Sequence, residues 1–108
     1  MKEYRIVLES QLGPRNGTLR LEEEKAGTVI GSITLLGVEN PAFGQWIGEH
    51  SLRLSHHLRT QVSDLDCVSV FELDGDNISG TLQNDKTTML WHGKTTAKKG
   101  ESEKNDGE

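Results

Sequence analysis

Residues 67–83 read Cys-Val-Ser-Val-Phe-Glu-Leu-Asp-Gly-Asp-Asn-Ile-Ser-Gly-Thr-Leu-Gln, and the fold class turns on them. Cys67, Ser69, Phe71 and Leu73 alternate with Val68, Val70 and Glu72, the period-two pattern of a strand whose two faces meet different surroundings. Asp74-Gly75-Asp76-Asn77 follows, built from residue types that tolerate the positive φ of tight hairpin turns. Ile78, Gly80 and Leu82 then alternate with Ser79, Thr81 and Gln83, so the stretch predicts an antiparallel hairpin.

The same grammar extends in both directions. Downstream, Asn84-Asp85 turns the chain into Thr87–Lys94, where Met89 and Trp91 oppose Leu90 and His92. At the other end of the chain, Tyr4, Ile6 and Leu8 alternate with Arg5, Val7 and Glu9, and the turn residues 13–17 lead into a second strand with Leu19 and Leu21 on one face. Lys25-Ala26-Gly27 makes a further turn before Thr28–Leu36, which is rich in Val, Ile and Thr. Gly31 inside that run marks a bulge or a close backbone approach. Gly37–Pro41 then breaks the pattern.

The segment Phe43–Thr60 is read as one long strand, with Trp46, His50, Leu52, Leu54, His56 and Leu58 on one face. Its polar face carries Glu49, Arg53, His57 and Arg59. A helical stripe through Leu54, Leu58, Val62 and Leu65 competes over Ser55–Leu65; Leu52 and Leu54 fit only the alternating template, and strand is preferred. The whole gives an all-β domain over residues 1–95, with about seven antiparallel strands in a meander that forms a small barrel or a two-layer sandwich. From Thr96 to Glu108 every residue but Ala97 is polar, charged or Gly, which predicts a disordered tail.

Composition narrows the functional classes. The formal charge of −5 disfavours nucleic acid and anionic membranes as partners, since phosphate recognition needs clustered Lys and Arg. No apolar leader and no run long enough to span a bilayer occurs, and the single cysteine, Cys67, suits a reducing compartment, so a cytoplasmic location is expected.

Gly31-Ser32-Ile33-Thr34-Leu35-Leu36-Gly37, followed by Asn40-Pro41 and Phe43-Gly44, resembles a pattern of small bacterial all-β domains: a strand, Leu-Leu-Gly, an Asn-Pro-Phe-Gly-like loop and another strand. Leu58-Arg59-Thr60, Gly80 and Leu82 look similar as well, although here Ala42 separates Pro41 from Phe43. The resemblance implies a β fold and brings no activity with it.

Candidate site residues concentrate on the long strand. His50, His56 and Cys67 could converge, and imidazole and thiolate suit zinc or copper; a structural zinc needs four ligands and a catalytic one usually three. The neighbours His56 and His57 point to opposite faces of a strand and cannot chelate one ion. Asp64 and Asp66 would raise the Cys67 pKa, which speaks against a cysteine nucleophile. Arg53, His57 and Arg59 form a cationic strip able to receive an anion unless Glu22, Glu24 or Glu72 on adjacent strands neutralises it.

No cofactor motif stands out. The expected function is a non-enzymatic binding or interaction module, with a small ligand in a barrel mouth or cleft touching Trp46, His50, Arg53, His56, Arg59 and Trp91. An enzyme or metal site on His50, His56 and Cys67 is the alternative. Others are a structural protein-interaction domain acting through the loop 37–44, and self-association through edge strands.

Overall fold

The structure, a computed structural model, describes residues 2–59 and 64–96. The eight strands are β1 (Lys2–Ser10), β2 (Gly13–Glu23), β3 (Thr28–Leu35), β4 (Val38–Trp46), β5 (Ser51–Arg59), β6 (Asp64–Asp74), β7 (Asn77–Gln83) and β8 (Thr88–Thr95). Each pairs antiparallel with the next, and β1 pairs with β8, closing the meander into a barrel. Of the two architectures left open by the sequence, the barrel is the one formed.

Alternation sorts the side chains as expected. Tyr4, Ile6 and Leu8 of β1, Leu19 and Leu21 of β2, Val29, Ile33 and Leu35 of β3, and Leu52 and Leu54 of β5 are buried in the lumen. Phe71 and Trp91 meet there with ring centroids 5.7 Å apart and planes tilted by 37°, a favourable offset arrangement. Around these rings the lumen is a packed core.

Two expectations need correction, both in the middle of the chain. Gly37–Pro41 is not a break; the reversal takes only Leu36 and Gly37, both at positive φ (52° and 81°), and β4 begins at Val38. Phe43–Thr60 is not one strand: the chain bends through residues 47–50 and returns as β5, which makes eight strands instead of about seven. That bend was hidden because Trp46 pairs with Leu52 across it, so the even-numbered residues face inward on both sides and the alternation never changes phase. The strand reading of Ser55 onward holds through Arg59, and β6 begins at Asp64.

Closure also bears on the expected edge strands. Both sides of every strand are paired over most of the barrel, so none of the described strands is a free edge along its whole length. The expected bulge or close approach at Gly31 is a close approach: a Cβ there would lie 1.9 Å from the Arg20 carbonyl oxygen of β2. Thr96, the first residue of the stretch read as tail, donates its N–H to the Glu3 carbonyl (2.9 Å). Residues 97–108 of that stretch lie outside those described.

Candidate functional site

The lower end of the barrel carries the start of β1, the end of β8 and the connections 24–27, 47–50 and 75–76; the upper end carries the turns 11–12, 36–37 and 84–87. The ladders stop at different heights on the upper side. The β4–β5 ladder ends at Ala42↔His56 and the β6–β7 ladder at Val68↔Gln83, whereas β5–β6 continues to Arg59↔Asp64. The top of β5–β6 therefore stands as a two-stranded ribbon. Pro41 carries no N–H, and the β4–β5 ladder stops one residue short of it. The result is a seam, unladdered between residues 38–41 and 57–59.

Below the seam lies a buried polar string. Trp91 Nε1–H donates to Ser69 Oγ (2.9 Å), and the Ser69 hydroxyl lies 2.8 Å from His56 Nε2. The His57 carbonyl beside Nδ1 can only accept, so in neutral His56 Nε2 is the bare nitrogen; it accepts the Ser69 hydroxyl proton, and the Ser69 oxygen accepts from the indole. This leaves the imidazole proton on Nδ1, which faces the His57 carbonyl at 3.3 Å. Burial pushes the His56 pKa down; the backbone bond to His57 opposes this and the His57 ring adds to it. Neutral His56 has both nitrogens engaged, and a metal would have to displace one of these bonds.

Cys67 sits directly across from His56 in the β5–β6 register and is buried. Burial raises its pKa, the Asn84 amide at 4.0 Å lowers it and Asp66 raises it. The thiol is held protonated, the reverse of what nucleophilic chemistry needs. His50 belongs elsewhere: it lies in the connection 47–50 at the lower end, where its carbonyl accepts from the Leu73 N–H (2.8 Å). The trio His50, His56 and Cys67 does not converge. Among the described residues, no group of three or more His, Cys, Asp and Glu side chains is arranged to hold a metal ion.

The other predicted residues separate by end and by face. Trp46 and His50 line a lower pocket of about 490 Å³ with Tyr4, Glu23 and Leu73, and Trp46 Nε1–H donates to Glu23 Oε2 (3.2 Å). Arg53 and Arg59 point outward on β5, away from Trp91 in the lumen. The cationic strip is only partly neutralised, and by different acids from those expected. His57 Nδ1 lies 3.1 Å from both Asp64 and Asp66, and Arg59 lies 3.4 Å from Asp64. Glu72 instead accepts from Ser51 (2.7 Å). Arg53 is flanked in register by Gln45 and Val70 and makes no ion pair among the described residues.

Arg53 lines an open groove of about 680 Å³ on the upper flank, together with Phe43, Ser55, Val68 and Gln83 and the acidic side chains of Asp66 and Asp85. His56, Cys67 and Asn84 border it where the wall gives onto the lumen. The Phe43 ring is 59% exposed there. Phe43 and Pro41 thus lie on an outward strand face, and no loop spans 37–44.

Sequence reasoning missed two residues. Ser69 was visible as a hydroxyl on the apolar face of β6. Asn40 shares the even parity of Ala42 and His56, but was read as part of a turn; it is 2% exposed inside the barrel.

No protein-family model matches the chain, and a search of curated proteins finds no match. Among solved structures the chain is similar to a redesigned β-barrel, mFAP1, determined bound to DFHBI. The TM-score is 0.64 at 9% identity, over 86% of this chain and 91% of that one. At this identity the likeness speaks for the fold.

Proposed function

We propose that this protein is a non-enzymatic binding module that takes a small organic molecule at the upper end of its barrel. The observation that carries this reading is the groove beside Arg53. Its volume, about 680 Å³, falls in the range of small-molecule sites, and it combines an exposed aromatic ring with a guanidinium that has no acid partner among the described residues. Phe43 and Val68 supply apolar contact, Arg53, Ser55 and Gln83 supply polar groups that fix orientation, and Asp66 and Asp85 line the same groove. The bound compound in mFAP1 is a precedent for ligand binding by a barrel of this shape.

His56 and Cys67 border the site as neutral, hydrogen-bonded groups, which supports binding over catalysis. A reducing, cytoplasmic setting suits the free Cys67. No helix among the described residues is long and apolar enough to cross a membrane. The barrel wall bears on the same question: Arg5, Arg20, Glu22, Glu39 and Arg53 face outward, the inverse of a lipid-facing barrel surface.

The test is a thermal-shift screen of the full chain against small metabolites, followed by titration of hits into Arg53→Ala and Phe43→Ser. Both residues are exposed, so neither change should move stability by more than about 0.5 kcal/mol. Each should weaken binding roughly tenfold, about 1.4 kcal/mol. A screen without hits, or hits indifferent to both substitutions, overturns the reading.

A further inference from the structure

Asn40 is a carboxamide inside the barrel with almost nothing to bond. It is 2% exposed, lies across from Ile33 of β3, and follows Val38 by two positions on the inward row of β4. Its one contact is from Nδ2 to the Val38 carbonyl at 3.5 Å, the outer limit of a hydrogen bond. Oδ1 has no donor among the described residues, and at least one N–H has no acceptor. Leaving such a group unsatisfied costs about 1–3 kcal/mol, where Leu or Val would cost nothing.

Its position suggests what relieves that cost. The row Asn40, Ala42, Gly44 puts small or polar side chains where β1 and β2 present Ile and Leu, and Asn40 lies above Ala42↔His56, the last rung before the seam. The amide is therefore both buried and next to the one stretch of β4 that lacks a β5 partner. The other buried polar residues among those described, Ser32, His56 and Ser69, are uncharged as well, burial holding the His56 pKa down. A charged group brought here would be desolvated without a counter-charge.

We propose that Asn40 anchors a ligand subsite at the β4–β5 seam, and that this subsite takes a neutral group carrying a hydrogen-bond donor beside an acceptor, such as the edge of a lactam. Oδ1 accepts the ligand N–H, and Nδ2–H donates to the ligand carbonyl. This rests on the ligand-binding reading of the upper end and gives it a chemical class.

The experiment uses the full chain and two probes, 2-pyridone and N-methyl-2-pyridone, which differ only in the donor. NMR titration follows the Asn40 side-chain amide signals together with the backbone amides of Phe43 and Arg53. The expected result is that 2-pyridone shifts the Asn40 signals and binds at least tenfold more tightly than its methylated form. Asn40→Leu should abolish that preference while melting at the same temperature as the parent or higher. Equal binding of the two probes overturns the inference, as does a preference that survives in Asn40→Leu, and so does a slowly exchanging water found on Oδ1 that 2-pyridone fails to displace. The comparison of the two probes on the unmodified protein needs no variant to fold. If metabolites bind at Phe43 and Arg53 with no lactam preference, the Asn40 subsite falls alone; if nothing binds at any upper-end residue, the broader reading falls first.

Discussion

Ser69 joins three elements through one oxygen, accepting from Trp91 of β8 and donating to His56 of β5. Replacing it with Ala leaves two buried polar groups without partners, and each such loss costs about 1–3 kcal/mol. Ser69→Ala should therefore lower stability by roughly 2–4 kcal/mol in urea denaturation, counting some relaxation. A loss below about 0.5 kcal/mol would mean the string is not formed. His56 makes a second claim at this scale. Its folded pKa lies below the ordinary value of 6.5, so as pH falls the unfolded chain takes up the proton first. The protein should lose stability from about pH 6.5 downward until the folded-state pKa is reached, with a slope from this group of at most about 1.4 kcal/mol per pH unit. Urea midpoints at a series of pH values check this, and His56→Gln should remove the His56 share of the slope.

At the scale of elements, strand identity is written in the alternation and strand ends are written in single residues. Gly44 allows β4 to approach β5 so closely that a Cβ would lie 1.7 Å from the Arg53 carbonyl oxygen. A backbone atom cannot yield as a flexible side chain can, so Gly44→Ala must push the strands apart. We expect a loss of more than about 3 kcal/mol or failure to fold. Gly48→Ala, where a Cβ meets only Ser51 atoms at 3.5 Å, should stay within about 1 kcal/mol of the parent. Equal effects at the two positions would contradict the close approach. The same elements show why the long strand was misread: four residues reverse the chain between Trp46 and Leu52 without shifting parity, and periodicity carries no record of direction. That reversal sends Trp46 and His50 to the lower end and leaves His56 above, so two of the six residues grouped by sequence belong to a different opening.

For the whole molecule, closure is the property least available from the chain read in order. Local turns specify each hairpin, but the β1–β8 ladder joins Tyr4 to Thr95, and no local pattern encodes that contact. The sequence supplied the all-β class and the inward faces; Trp91, expected as a ligand contact, is instead buried in the core against Phe71. The sequence did not supply Asn40 as a lumen residue, because an Asn-Pro pair ordinarily signals a turn. Closure leaves the barrel's ends and flanks as its open surfaces, and the upper end combines a groove, a seam and the buried Asn40 amide. The most direct measurement is a map of backbone-amide chemical-shift changes across the full chain when a hit from the metabolite screen is titrated in. Changes should gather on Phe43, Arg53, Ser55, Val68 and Gln83 and reach Asn40. Changes centred on Trp46, His50 and Tyr4 at the lower end, or spread evenly over the barrel, would contradict an upper-end site.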